Sequence, residues 1–194
     1  MSKNIIIIGP AHPLRGGLAT YNQLLATKLQ EQGHKVKIVT FSLQYPDFLF
    51  PGQTQFSTDP KPADLNIEVA LNSVNPFNWI VLGTRPKKEK PDLVILRYWM
   101  PFMGPSLGTV SRIIRKNKHT KVVAITDNII PHEKRFFDTP FTKYFLKSCD
   151  GFVTMSEAVL DDLKQFNVSK PSAYNPHPMY ESFGPLLAKN EAKQ

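Results

Sequence analysis

Short apolar runs alternating with segments patterned at helical spacing set the rhythm of this chain. Ile5-Ile6-Ile7-Ile8 is an unbroken β-branched run ended by Gly9-Pro10, which suits a strand covered on both faces, as in a parallel sheet. Leu18, Tyr21, Leu24, Leu25 and Leu29 then make an apolar stripe that begins at Gly16-Gly17 and closes at Gly33, the spacing of a helix. Lys35 to Phe41 alternates into a second strand and completes a βαβ unit. Further strands are predicted over 65–71, 91–96, 121–126, 151–154 and 172–175, with helices over 76–85, 106–117, 139–148 and 157–166. Ser156 stands where the last of these helices needs an N-cap. Strands and helices in strict alternation predict an α/β fold: a Rossmann-like open parallel sheet with helices on both faces.

Between the second and third strands, residues 43–62 are rich in proline, glycine and aromatic side chains, including Tyr45, Phe48 and Phe50. A connection this long reads as a surface excursion with a functional reason to exist. Residues 1–180 are read as the domain. Residues 181–194, polar and charged after Gly184-Pro185, are read as the start of an interdomain linker or tail.

Composition narrows the function classes only a little. A hydrophobic content of 41% with 21% charged residues describes a folded globular chain. The net charge of +8 favours acidic partners: a nucleotide, a nucleic acid or an anionic membrane surface. Cys149 is the single cysteine, so no intramolecular disulfide forms and a reducing compartment fits. No run approaches the roughly twenty apolar residues of a membrane span or the apolar core of a signal peptide. The expected location is therefore cytoplasmic, with a peripheral position at the inner membrane face left open by the basic cluster Arg112, Arg115, Lys116, Lys118 and Lys121. That cluster is either a solvated face or a contact with anionic lipid. Aromatic residues are not interleaved with it as a nucleic-acid platform requires, so no nucleic-acid partner is expected.

The chemistry gathers where predicted strands end. A helix starting at Gly16-Gly17 presents free N–H groups and a partial positive charge, which suits a phosphate or sugar hydroxyl. Arg97, following the 91–96 strand, and Asp127 and Asn128, following the 121–126 strand, fall where open α/β sheets bind ligands. Asp127 is either a base or half of an ion pair with Lys134, Arg135 or the basic helix. His132, in the densest run of chemically capable side chains, is the candidate catalytic residue: it can hydrogen-bond a sugar hydroxyl or stabilise charge on a leaving group, or else it only braces its loop. The glycines Gly9, Gly16 and Gly17 and the strand end Val39-Thr40-Phe41-Ser42 depart from the dinucleotide fingerprint and its closing acid, which counts against a dehydrogenase. Scattered histidines without ligand spacing give no metal site, and no nucleophile elbow or Walker-type loop is present.

Taken in order, the Gly16-Gly17 helix start, Gly33-His34-x-Val36, the Pro91-Asp92-Leu93-Val94 strand, the His132 loop and Phe152-Val153-Thr154-Met155-Ser156-Glu157 resemble the N-terminal half of retaining GT-B glycosyltransferases of the family-four type. The resemblance implies one of two Rossmann-like domains facing across a cleft, this one mainly acceptor-binding, with the nucleotide-sugar held by a missing C-terminal domain. It implies that His132 contacts the donor sugar near the reacting carbon and that Gly16 and Gly17 lie near donor phosphates and acceptor. Arg97, Asp127 and Asn128 complete the candidate donor- or acceptor-binding set. No metal or cofactor is implied, the nucleotide-sugar being a substrate. The implied acceptor is a glycan or a lipid-linked sugar, as in cell-surface polysaccharide synthesis, and this chain alone is expected to be inactive. The rival reading is a non-catalytic glycan- or partner-binding module.

Overall fold

The computed structural model describes residues 1–46, 55–131, 133, 135–166 and 168–177. These build one parallel sheet of seven strands in the order β3-β2-β1-β4-β5-β6-β7. The strands are β1 (Asn4–Ile8), β2 (Lys35–Leu43), β3 (Asn66–Asn72), β4 (Leu93–Tyr98), β5 (Lys121–Thr126), β6 (Gly151–Thr154) and β7 (Ser172–Tyr174). The helices are α1 (Gly17–Glu31), α2 (Pro76–Glu89), α3 (Gly104–Arg115), α4 (Asp138–Leu146) and α5 (Glu157–Gln165). A single 3₁₀ turn, Pro101–Met103, leads into α3.

The central isoleucines explain the layering. Ile6 and Ile8 enter one apolar cluster with Leu82 of α2, Leu107 and Val110 of α3, Phe145 of α4 and Leu163 of α5. Ile5 and Ile7 enter the other, with Tyr21 and Ala26 of α1. Helices thus lie on both faces, as expected, but unequally: α1 covers one face and α2 to α5 the other. The reversal of strand order between β1 and β4 puts the carboxyl ends of these two strands at the switch point, where such sheets open a crevice.

Two local differences from the sequence reading have clear causes. In α1 the buried positions are Ala19, Tyr21, Asn22 and Ala26, while Leu24 is exposed. Asn22 is buried because its Nδ2 donates to the Pro10 carbonyl at 2.8 Å, anchoring the loop beyond β1. α2 runs on through Pro86 to Glu89 rather than stopping at Arg85.

Lys170 ties the β7 edge to the rest of the sheet. Its ammonium donates to the carbonyls of Leu146 and Lys147 at 3.0 Å each, and to that of Cys149. This cations-to-carbonyls clamp closes the end of α4, where the helix dipole also favours positive charge. Lys170→Met is expected to cost about 2 kcal/mol of stability, because charge-assisted hydrogen bonds are lost and carbonyls are left half-buried. A chemical-denaturation midpoint unchanged from wild type would show the clamp to be incidental.

Candidate functional site

The crevice is built from the loop after β1 upward. Gly9 is the one residue that fits there, since a Cβ would lie 2.7 Å from Arg97 Cβ and 2.8 Å from Asn22 Nδ2. Beyond it, Thr40 Oγ1 accepts from Ala11 N–H at 2.9 Å and donates to the Ala11 carbonyl at 3.2 Å, pinning the loop to β2. The loop then reaches Gly16, whose φ of 111° is a conformation that disfavours any side chain. From there α1 starts with no side-chain cap and no acidic residue in its first turn. Its uncapped end opens beside a cleft of about 170 Å³ lined by His12, Arg15, Gly16, Thr20 and Gln23. An exposed Arg15 and an open helix N-terminus bring positive charge there, and Asp59, whose carboxylate accepts from Ser57 Oγ at 2.7 Å, lines the same cleft with a negative one.

One turn into α1, Tyr21 carries the connection to the sheet. Arg97 Cζ lies 4.1 Å from the Tyr21 ring centroid, a cation–π contact. Arg97 Nε donates to Asp127 Oδ2 at 2.6 Å, and Nη2 donates to Oδ1. This bidentate pair is fixed in the sheet: Arg97 is 1% exposed, and Asp127 N–H donates to the Tyr98 carbonyl at 2.9 Å. The Asp127 side chain keeps 20% of its exposure. Burial raises the Asp127 carboxyl above the ordinary aspartate range, and the Arg97 charge and hydrogen bonds pull it back. The His177 ring lies 5.4 Å from that of Tyr21, so the chain leaving β7 returns to the same place.

The sequence candidates therefore fall out unevenly. Gly16 and Gly17 are exposed at the α1 start, and Asp127 and Asn128 sit half-buried at the end of β5. Arg97 is corrected in position: it is not beyond β4 but inside it, and it reaches the crevice only through Asp127. Among the described residues the partner of Asp127 is accordingly Arg97, and not Arg135 or the basic helix. His132 lies outside the described residues, as do Lys134, Phe48 and Phe50. Sequence reasoning gave no role to His12 or Arg15 and took Tyr21 only as apolar stripe; a tyrosine one turn after a glycine helix start was the available signal.

The basic helix is partly committed elsewhere. Arg112 Cζ lies 3.7 Å from the Tyr144 ring centroid, and Arg112 Nη1 donates to the Gly108 carbonyl at 2.9 Å. Arg115 pairs with Asp150 at 2.7 Å. Among the described residues no group of three His, Cys, Asp or Glu side chains gathers, and no helix is long and apolar enough to cross a membrane.

Sheet order, helix layering and the crevice at the strand carboxyl ends define a Rossmann-like half of the GT-B architecture. The family described as Glycosyltransferase Family 4 matches residues 15–176, and the chain belongs to it. A comparison with curated proteins finds no match. Among solved structures, an α-glucosyltransferase in complex with UDP and a 13-mer DNA is 11% identical, with a TM-score of 0.57, over 92% of this chain and 43% of its own. A UDP-N-acetylglucosamine 2-epimerase from Rickettsia bellii is 12% identical, TM-score 0.56, over 91% of this chain and 45% of its own. A sucrose-phosphate synthase chain from Thermosynechococcus elongatus is 12% identical, TM-score 0.53, over 91% and 90%. At these identities the likeness is one of fold. This chain spans less than half the length of the first two.

Proposed function

We propose that this chain is the acceptor-binding half of a retaining glycosyltransferase that moves a sugar from a nucleotide-sugar to a glycan or lipid-linked acceptor, in cell-surface polysaccharide synthesis. The observation that carries the reading is the continuous path from the uncapped α1 start, through Tyr21 and Arg97, to Asp127 at the end of β5. It sets an anion-attracting helix end and a carboxylate, five residues before His132 in the chain, at the same carboxyl-terminal edge of the sheet. Gly16, Gly17 and Arg15 would face the donor phosphates, and Asp127 and Asn128 the sugar or acceptor hydroxyls. Arg97 would position Asp127. His132 would stabilise charge at the reacting carbon. The donor-binding half lies outside this chain in the reading, and no resident metal takes part.

The test is transfer of labelled sugar by the full-length protein, with nucleotide-sugars offered in turn. His132→Ala is expected to lower turnover about a hundredfold with the fold intact, the effect of removing one preorganised donor. A near-normal rate in that variant would return His132 to a structural role. Saturable glycan binding by the full-length protein, with no nucleotide-sugar bound and none transferred, would instead support the non-catalytic binding module.

A further inference from the structure

A second cavity opens beyond the loop that follows β5. It holds about 250 Å³ and lies between that loop, the first two turns of α4 and the end of α5. The crevice turns towards α1 through the contact of Arg97 with Tyr21, whereas this cavity belongs to the other face of the sheet, where Ile129 and Phe166 join the cluster of Leu107 and Phe145. The two are joined along the chain: the loop starts with Asp127 at the crevice and reaches the cavity wall at Pro131, the residue before His132. The polar lining is held in place and not used up. Asp138 is 7% exposed, with Oδ2 accepting from the Arg135 N–H at 2.7 Å and its own N–H donating to the Arg135 carbonyl at 3.1 Å. That exchange fixes the carboxylate. Its second oxygen, Oδ1, has no hydrogen-bond partner among the described residues. Lys143, one turn further along α4, is exposed and makes no ion pair among the described residues. Thr139 and Gln165, also exposed, complete the polar rim, and Ile129 and Phe166 supply an apolar floor.

We propose that this cavity seats one neutral sugar ring of a glycan acceptor, the ring next to the one that receives the new linkage, and so selects acceptors of two or more sugars. A pyranose carries hydroxyls that both donate and accept, together with an apolar C–H face. The free Asp138 oxygen takes a hydroxyl proton, Lys143 and the Gln165 amide donate to hydroxyl oxygens, and the floor of Ile129 and Phe166 takes the C–H face. Charged ligands fit less well. A phosphate would face the Asp138 carboxylate and an amine would face Lys143, while a neutral ring meets neither repulsion. The volume falls just below the roughly 300–1,000 Å³ of sites for drug-sized ligands, which is room for one ring and not for a chain. Asp127 and Asn128 stand at the start of the loop and the cavity at Pro131, so a ring seated there is displaced along the loop from the reacting hydroxyl. The role as acceptor rests on the sugar-transfer reading.

The test titrates the full-length protein, without nucleotide-sugar, with the methyl glycosides of glucose, mannose, galactose and N-acetylglucosamine and with maltose, mannobiose, lactose and chitobiose, read by saturation-transfer NMR. At least one disaccharide is expected to bind about tenfold more tightly than its methyl glycoside, the return on about two added hydrogen bonds. K143A/Q165A is expected to bring that disaccharide down to the level of the methyl glycoside. T139W, whose indole fills the rim, is expected to do the same. Each replaces exposed residues, so melting profiles stay at wild-type values. In transfer assays both variants are expected to raise the KM for the disaccharide acceptor about tenfold and to leave the KM for the nucleotide-sugar where it was. Disaccharides that bind no better than methyl glycosides, or variants that bind them as wild type does, would overturn the proposal. Disaccharide binding that both variants lose, in a protein that transfers no sugar, keeps the sugar site and overturns the transfer reading alone.

Discussion

Arg97→Met is expected to destabilise this half of the protein by about 3 kcal/mol near neutral pH, the lower end of what breaking a buried ion pair costs. Methionine replaces most of the volume, and Met155 Sδ, 4.0 Å from Arg97 Nη2, is a tolerant neighbour. What it cannot replace is the charge. Asp127 would keep its carboxylate at 20% exposure, without the two donors that hold it. For a domain of this size the loss corresponds to roughly 6–12 °C in the melting transition. The companion variant Arg97→Met with Asp127→Asn should recover part of it, since a neutral amide needs no counter-charge. If the double variant melts no higher than the single one, the loss comes from packing against Tyr21 and Gly9.

The same variant carries a pH signature whose direction follows from burial. Asp127 has a raised pKa in the folded wild type, with burial opposed by Arg97. Removing Arg97 removes the opposing attraction and raises the folded value further. A carboxyl raised in the folded state favours folding where it is protonated, and that contribution is lost as pH climbs through the folded value. The deficit of Arg97→Met relative to wild type should therefore be small near pH 4, about the unfolded aspartate value, and widen towards neutrality. Melting curves with equal gaps at both ends of that range would count against an ionised Asp127 as the source.

Why Arg97 was misplaced from sequence shows what local pattern can carry. Buried parallel strands are apolar runs, so β1, β5 and β6 were legible to within a residue. β4 was read as ending at Leu96 because Arg97 and Tyr98 look like loop residues. Both stay in the strand because distant partners meet them: Asp127 accepts from Nε and Nη2 of Arg97, leaving its buried Nη1 without a partner, and Tyr98 Oη meets Thr142 Oγ1 at 3.0 Å. Those partners lie 30 and 44 residues away, beyond any window of periodicity. The outward turn of α2 was hidden for a related reason. In sequence Ile80 looks as able to pack as Trp79 and Leu82, until Gly83 fixes which side meets α3 and leaves Ile80 exposed. The Gly16-Gly17 helix start, by contrast, was visible, because glycine marks a backbone requirement in the residue itself.

Gly17→Asp is expected to separate the fold from the function at that helix start. A Cβ at Gly17 meets nothing within 4 Å, so the side chain has room. In the first turn of a helix that has no acid there, a carboxylate stabilises by about 0.3–1 kcal/mol through the dipole. The melting temperature should hold or rise slightly. Binding of an anionic donor should do the opposite. A carboxylate about 6 Å from a bound phosphate, at an effective dielectric near 20, repels it by about 3 kcal/mol, roughly a hundredfold in affinity. Gly17→Asn has nearly the same volume without the charge and should bind within a few-fold of wild type. Raising the salt should narrow the gap between the two, since the helix start is exposed and its repulsion is screened. If the aspartate and asparagine variants take the nucleotide-sugar equally well, no phosphate sits at the α1 start, and the crevice is used for the neutral acceptor alone.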